Sequence, residues 1–417
     1  MPSSPLPSGD RLPVSSLVPD PRAEVALSFG MGVDSTAILL RWLREPQTRP
    51  CDLDRLVVVT AQTGDEWEQT RTSVERFVLP LLRDAGVRLI QVARAQRHVR
   101  RGGEGVVILD DSRTPDRLYT DGAFSLSDEL RAAGTVPQVG GSRLCSVHSK
   151  GDCLDPVFER IFADRNYIHV LGFEANEVRR ANKDATYNTD RRTGHYSLIE
   201  WGWTREDAIA YISHATQGGF IPKSACYFCP FALSNKTSRA QTLHRYQQNP
   251  HQAAHALLIE HASLSLNRAQ GLVGDKRLVD IVAALDDPRS IEEAFDDLLN
   301  ATEHSVYRLR RIYREDRTRP GTKGKRVDRS VQRLATGDRS AMQQLASTYS
   351  DDHEHDGAIT RHYLRRRREH LYPTTEEFIV AAPAFIGDKQ APHFDQWWAQ
   401  FTGAATAALS SPALQTI

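Results

Sequence analysis

Between Glu24 and Phe173 short apolar runs alternate with stretches of helical period, and that alternation limits the fold more than any other feature. Glu24 to Phe29 is an apolar run ending in a glycine turn, and Ser35 to Leu43 continues with the spacing of an apolar helix. Leu56 to Thr60, LVVVT, is a β-branched run suited to a strand buried on both faces. A polar turn at Thr63, Gly64, Asp65 and Glu66 follows it, then a helical pattern to Leu82. Val87 to Val92 reads as a third strand and Tyr167 to Phe173 as a fourth. Strands alternating with helices form a parallel sheet covered on both faces, with ligands at the carboxyl ends of the strands. The fold class expected is therefore α/β, a doubly wound, mostly parallel sheet.

The chain has 417 residues, enough for two or three packed units of ordinary size. Its formal net charge is zero, so it is not an electrostatic nucleic-acid binder as a whole and any basic surface must be local. Residues 1–22, rich in Pro and Ser, read as a disordered leader and not as a signal peptide. No apolar run approaches the roughly 18 residues needed to span a bilayer. Five cysteines spread along a large chain argue for a reducing cytoplasm, and for metal or redox chemistry over disulfides. Residues 23–285 are assigned to the α/β domain, with Gly102 to Ser142 as an insertion or mobile lid. After residue 285 helical patterns are read up to 402, followed by a tail, 403–417.

The turn after the first strand, S-F-G-M-G-V-D-S-T from Ser28 to Thr36, is the most informative segment. Glycines let a backbone turn tightly and aim amides at an anion, while hydroxyls at a helix start lie where the dipole favours negative charge. Taken alone, the segment is equally a glycine turn with a helix cap. It resembles the S-G-G-x-D-S motif of the PP-loop ATP pyrophosphatases, the adenine nucleotide alpha-hydrolase superfamily, although Phe29 and Met31 stand where small residues are usual. Further segments are similar to its phosphoadenylylsulfate (PAPS) reductase branch: A-Q-T-G-D-E-W-E-Q-T from Ala61, R-L-C-S-V-H-S-K from Arg143, L-G-F-E-A-N-E-V-R-R from Leu171 and Y-S-L-I-E-W-G-W-T-R-E-D from Tyr196. The resemblance covers Glu24 to about Phe231 and implies a sheet of the HUP type. It implies that Ser28, Phe29, Gly30, Gly32, Asp34, Ser35, Thr36, Thr63, Gly64, Gly172, Glu177 and Arg180 border ATP or an adenylyl substrate. Asp34, Ser35, Arg143 and Lys150 are the catalytic candidates. Arg143 and Lys150 could neutralise a leaving pyrophosphate, with Mg2+ on the same oxygens, or be surface salt bridges.

C-Y-F-C-P at Cys226 to Pro230 is a C-x-x-C, whose two thiolates can converge on one metal. Alone it is ambiguous between metal, redox dithiol and two buried cysteines. Related PP-loop proteins hold a [4Fe-4S] cluster on a split cysteine set, which implies Cys145, Cys226 and Cys229 as ligands. Cys153 is the candidate fourth, and His148 is an alternative that leans toward Zn2+. Cys51 is incidental on this reading.

From Arg308 to Arg333 eleven Arg or Lys stand against three acids, with Tyr307 and Tyr313 among them, and a second basic block runs from Arg361 to His370. Such a stripe can follow phosphates and stack bases, or be a solvated helix face. The leading expectation is an ATP-dependent enzyme that cleaves between the α and β phosphates, adenylates an acceptor and lets sulfur displace AMP. Nucleic acid, tRNA or DNA, is then the acceptor, with a sulfur-donor protein as partner and no membrane involved. Reduction of adenylyl sulfate or PAPS is an alternative, weakened because no cysteine follows Cys229. A nucleotide-binding regulatory protein without turnover is another.

Overall fold

The computed structural model describes residues 11–100, 102–139, 144–274 and 276–403. The chain forms two compact units that divide after Cys229. The first holds the residues up to Glu129 and the segment that ends at Cys229; the second holds the chain from Pro230 and a short segment that starts at Leu130.

The first unit is built on six strands: β1 (Val25–Ser28), β2 (Leu56–Gln62), β3 (Arg88–Arg94), β4 (Val106–Ser112), β5 (Tyr167–Val170) and β6 (Arg192–His195). Their order is β4-β3-β2-β1-β5-β6. Every neighbouring pair is parallel except β3 with β4. This is the mostly parallel α/β sheet expected. β4 lies within the segment read as an insertion or lid, because its run VVILDDS is half polar and pairs only along one edge.

The pattern of β2 explains its sequence. Leu56 and Val58 pack on one face with Ile38 and Leu39 of helix α1 (Val33–Arg44). Val57, Val59 and Ala61 pack on the other with Val157, Phe158 and Ile161 of helix α2 (Asp152–Phe162). A strand buried on both faces cannot alternate apolar with polar, and each fully buried valine contributes about 1.5–3 kcal/mol. Val14 and Leu17, from the segment read as a leader, are buried against the second face, and Pro13 bridges to Val107.

The second unit corrects the expectation of a helical C-terminal region. It holds an antiparallel sheet of β7 (His304–Glu315), β8 (Lys323–Gly337), β9 (His353–Asp356), β10 (Ile359–Arg365), β11 (Thr374–Pro383) and β12 (Lys389–Gln390). The order is β12-β8-β7-β11-β10-β9. Arginines broke the apparent period in β7, HSVYRLRRIYRE, yet most of its residues are buried. The acids that make this possible lie some sixty residues downstream. Arg311 stands opposite Glu376 in the register and pairs with it at 3.1 Å, and Arg308 reaches Glu377 at 2.6 Å. Cross-strand partners of that separation are invisible to a local reading of charge.

Candidate nucleotide site at the sheet switch point

β1 lies in the middle of the first sheet, with β2 on one side and β5 on the other. The chain goes one way to β2 and β3 and later returns to add β5 and β6, so the loops after β1 and β5 meet at a topological switch point. Crevices of this kind, outside the carboxyl ends of parallel strands, are where open α/β sheets hold ligands. The contact is close: a Cβ added at Gly172, just after β5, would lie 2.9 Å from the Ser35 amide nitrogen and 3.0 Å from Asp34 Cβ. Only glycine lets these loops pack so tightly.

Within the β1–α1 loop the Gly30 amide donates to Ser35 Oγ at 3.1 Å, so the Ser35 hydroxyl is engaged in holding the loop. The Thr36 amide bonds the Gly32 carbonyl at 3.1 Å. The amides of Val33, Asp34 and Ser35 therefore precede the first helical bond and lie at the positive end of α1. Met31 takes a left-handed φ of 61°, a conformation that costs a side-chain-bearing residue about 1 kcal/mol or more. Its side chain and that of Phe29 are buried in the core under α1, and Gln62 Nε2 donates to Met31 Sδ at 3.3 Å. Phe29 and Met31 thus fill core, and Phe29 offers no side chain to a ligand.

Asp34 is the electrostatic centre. Its Oδ2 accepts from Arg205 Nη2 at 2.9 Å, while its Oδ1 is buried without a partner. Burial pushes its carboxyl up to about 6, against the pull of Arg205 and with the push of Glu174 and Glu177. Arg205 also reaches Glu174 at 3.8 Å. Glu177 and Arg180 pair with each other at 2.5 Å, and Arg180 stacks over Phe173 at 4.5 Å. The hydroxyl of Thr36 is likewise buried and unpartnered, as are Thr60 Oγ1 and Gln62 Oε1 on β2. Buried polar atoms without partners cost about 1–3 kcal/mol each, and their accumulation beside a helix start is a property of a binding site more than of a core.

The turn after β2 is held from below. Gly64 has φ 82°, and a Cβ there would meet Ser125 Cβ at 2.5 Å. Glu66 is buried and accepts from the Trp67 and Ala225 amides at 3.1 Å, Thr70 Oγ1 at 3.0 Å and Ser224 Oγ at 2.6 Å. Asp65 accepts from the Ser127 amide at 2.8 Å and from Tyr227 OH at 3.1 Å. The Cys226 segment is thereby fastened to the β2 turn, and Ser224 comes within 3.5 Å of where a Gly32 Cβ would stand. Lys150 lies close enough to oppose the upward push of burial on both Glu66 and Cys226.

The cysteine set expected for a cluster is not gathered. Cys153 is fully buried in the apolar layer under α2, its thiol pushed up to about 12 by burial. Burial also raises Cys226, whose thiol donates to Thr63 Oγ1 at 3.3 Å. Cys145 is half-buried, and Cys229 closes a turn by donating its amide to the Cys226 carbonyl at 2.9 Å. Among the described residues no three His, Cys, Asp or Glu side chains are arranged to hold a metal ion. These residues as arranged do not fit a four-cysteine cluster or a Cys–His zinc site. Arg143 lies outside the described residues.

Sequence reading missed Arg205, Glu174 and Glu66, and also a polar network on the other side of β1. Ser28 Oγ lies 2.7 Å from His169 Nε2, Arg192 Nε donates to His169 Nδ1 at 3.0 Å, and Arg192 Nη2 pairs with Asp184 at 2.7 Å. Arg205 lies 171 residues from Asp34, and nothing in the sequence announces that its guanidinium turns back to that carboxylate.

In the second unit five of the eleven basic residues from Arg308 to Arg333 are ion-paired: Arg308, Arg310, Arg311, Arg314 and Arg326. Beyond the pairs with Glu376 and Glu377, Arg310 reaches Asp395 at 3.0 Å and Arg314 reaches Asp328 at 2.7 Å. Arg317, Arg319, Lys323 and Lys325, around the β7–β8 turn, are exposed and form no ion pair among the described residues. No helix among the described residues is long and apolar enough to cross a membrane. Compared with protein-family models, curated proteins and solved structures, the chain gives no match.

Proposed function

We propose that the first unit is an ATP site of the PP-loop, PAPS reductase-like kind. ATP is cleaved there between its α and β phosphates to adenylate an acceptor for sulfur transfer. The observation that carries the reading is the loop at the switch point, where Asp34 Oδ1 and Thr36 Oγ1 are buried without partners beside the first amides of α1. The α1 amides and the Thr36 hydroxyl take the phosphate oxygens. Asp34 Oδ1 is the acceptor that would hold Mg2+, and the cation would supply charge neutralisation on the pyrophosphate oxygens. Lys150 stands on the Glu66 and Cys226 side and meets the charge that grows on the departing pyrophosphate. An acceptor oxygen attacks the α phosphorus, pyrophosphate leaves, and a sulfur nucleophile then displaces AMP from the activated acceptor.

The exposed cations around the β7–β8 turn favour a nucleic acid as that acceptor, because a solvated phosphate-tracking surface needs charges not already matched within the fold. Cys226 argues against the reductase alternative, since burial holds it as a thiol and the thiolate is the nucleophile.

The test is pyrophosphate release from ATP labelled at the γ phosphate, with AMP measured in parallel. Release by the wild-type chain and a loss of about 100-fold or more in Asp34→Ala are expected. Release that survives in Asp34→Ala, or ADP and phosphate as the products, overturns the reading.

A further inference from the structure

We propose that His169 is a positioning residue that fixes Ser28 as a hydroxyl donor to a ligand phosphate, an inference that rests on the reading of the loop as an ATP site. The reasoning is one of hydrogen-bond polarity. A guanidinium has only donors, so the 3.0 Å contact from Arg192 Nε to His169 Nδ1 requires a lone pair on Nδ1. The neutral imidazole then carries its proton on Nε2 and donates it to Ser28 Oγ across 2.7 Å. Ser28 is an acceptor in that bond, and its own proton is turned away from His169 and free for an anion.

This polarity is the reverse of a serine nucleophile with a histidine base, in which the imidazole would have to accept from the hydroxyl. It is held at every step. Asp184 Oδ2 accepts from Arg192 Nη2 at 2.7 Å and from Tyr196 OH at 2.9 Å, and Asn188 Oδ1 accepts from Arg192 Nη1 at 3.0 Å. Phe158 packs on the imidazole with ring centroids 4.7 Å apart. Burial and the adjacent Arg192 push His169 down to about 4, so the ring stays neutral at physiological pH. Ser28 is the last residue of β1, directly before the loop, and is half-buried. The backbone amides of the loop and this hydroxyl thus approach one anion from neighbouring positions.

Two substitutions of similar size separate the donor role from mere packing. In His169→Gln the amide can accept from Arg192 and still donate to Ser28. In His169→Glu the carboxylate can accept from Arg192 but would draw the Ser28 proton onto itself. Titration calorimetry of the full chain with ATP and with pyrophosphate should place His169→Gln within about 3-fold of wild type. His169→Glu and Ser28→Ala should each weaken binding by roughly 10- to 100-fold, the worth of a hydrogen bond to a charged group. The double variant Ser28→Ala, His169→Glu should be no weaker than Ser28→Ala alone. Long-range 1H–15N correlation spectra of the unliganded chain at pH 7 should give the Nε2–H tautomer at His169. An Nδ1–H tautomer, His169→Glu binding like wild type, or an equal loss in both His169 variants overturns the proposal. The tautomer is read without ligand, so it separates the outcomes: an Nε2–H ring in a chain that binds neither ATP nor pyrophosphate overturns the ATP reading and with it the role of Ser28.

Discussion

The two sheets have six strands each and treat their polar groups in opposite ways. At the carboxyl ends of the parallel sheet, Asp34 Oδ1, Thr36 Oγ1, Thr60 Oγ1 and Gln62 Oε1 are buried with no partner. On the antiparallel sheet the strand charges are matched across the ladder, Arg311 with Glu376 and Arg308 with Glu377, and Arg314 with Asp328. Residual unpartnered atoms there, Arg310 Nε and His304 Nε2, belong to side chains bonded through their other nitrogens. The arginines buried along β7 therefore find acidic partners within the fold. On the reading proposed above, the unmatched polar atoms of the parallel sheet are kept for a ligand, the usual trade of stability for function at a site.

That contrast can be broken in three places, taken from the largest expected effect downward. Both carboxylate oxygens of Glu66 are bonded, so it should behave as structure. Glu66→Ala strands two buried amides and two hydroxyls and should lower the unfolding free energy by about 3–5 kcal/mol, read by urea denaturation. A loss below about 1 kcal/mol would mean that the β2 turn is not what fastens the Cys226 segment.

Asp34 should do the reverse. Its carboxyl is raised from 3.8 to about 6 in the fold, so the native state binds the proton more tightly than the unfolded chain does. Stability is therefore fully present below about 4 and falls as pH rises to about 6, by ~3 kcal/mol at most. Asp34→Asn should flatten that slope and stabilise the unliganded chain at pH 8 by about 1–3 kcal/mol, while ATP affinity falls at least about 10-fold. Thermal unfolding across pH 4–8 checks the first half and calorimetry the second. A less stable Asp34→Asn would show that Asp34 is matched after all, and the contrast between the sheets would fail.

The smallest effect concerns the β7–β8 turn. Replacing Arg317, Arg319, Lys323 and Lys325 by Gln should leave stability within about 0.5 kcal/mol, since these side chains are exposed. If they track phosphates, the slope of log affinity for nucleic acid against log salt should fall by about one for each contact removed. An unchanged slope would place the basic turn with the solvated faces.

Much of the first unit was legible because its signals are local. Leu56 to Thr60 could only be a strand buried on both faces, and Ser28 to Thr36 carried both the turn and the helix start in nine residues. β4 and β6 were missed because VVILDDS and RTGH are short and largely polar, and they become strands only by pairing with β3 and β5. The second unit was misread as helical because β7 carries arginines whose acidic partners on β11 are distant in sequence. The four-cysteine set was drawn from spacing and resemblance, and among the described residues no three such side chains are arranged to hold a metal ion.

The sequence by itself determined β1, β2, β3 and β5 of the first unit and the placing of a glycine turn at a helix start. Both follow from hydrophobic period and backbone freedom, which act between near neighbours. Only the tertiary structure decided which polar groups meet: that Arg205 turns to Asp34, that Glu66 binds the Ser224 hydroxyl and the Ala225 amide, and that Arg192 sets the proton on His169. Those pairings join residues between 23 and 171 positions apart, and the direction of a hydrogen bond is settled only when donor and acceptor stand within about 3 Å.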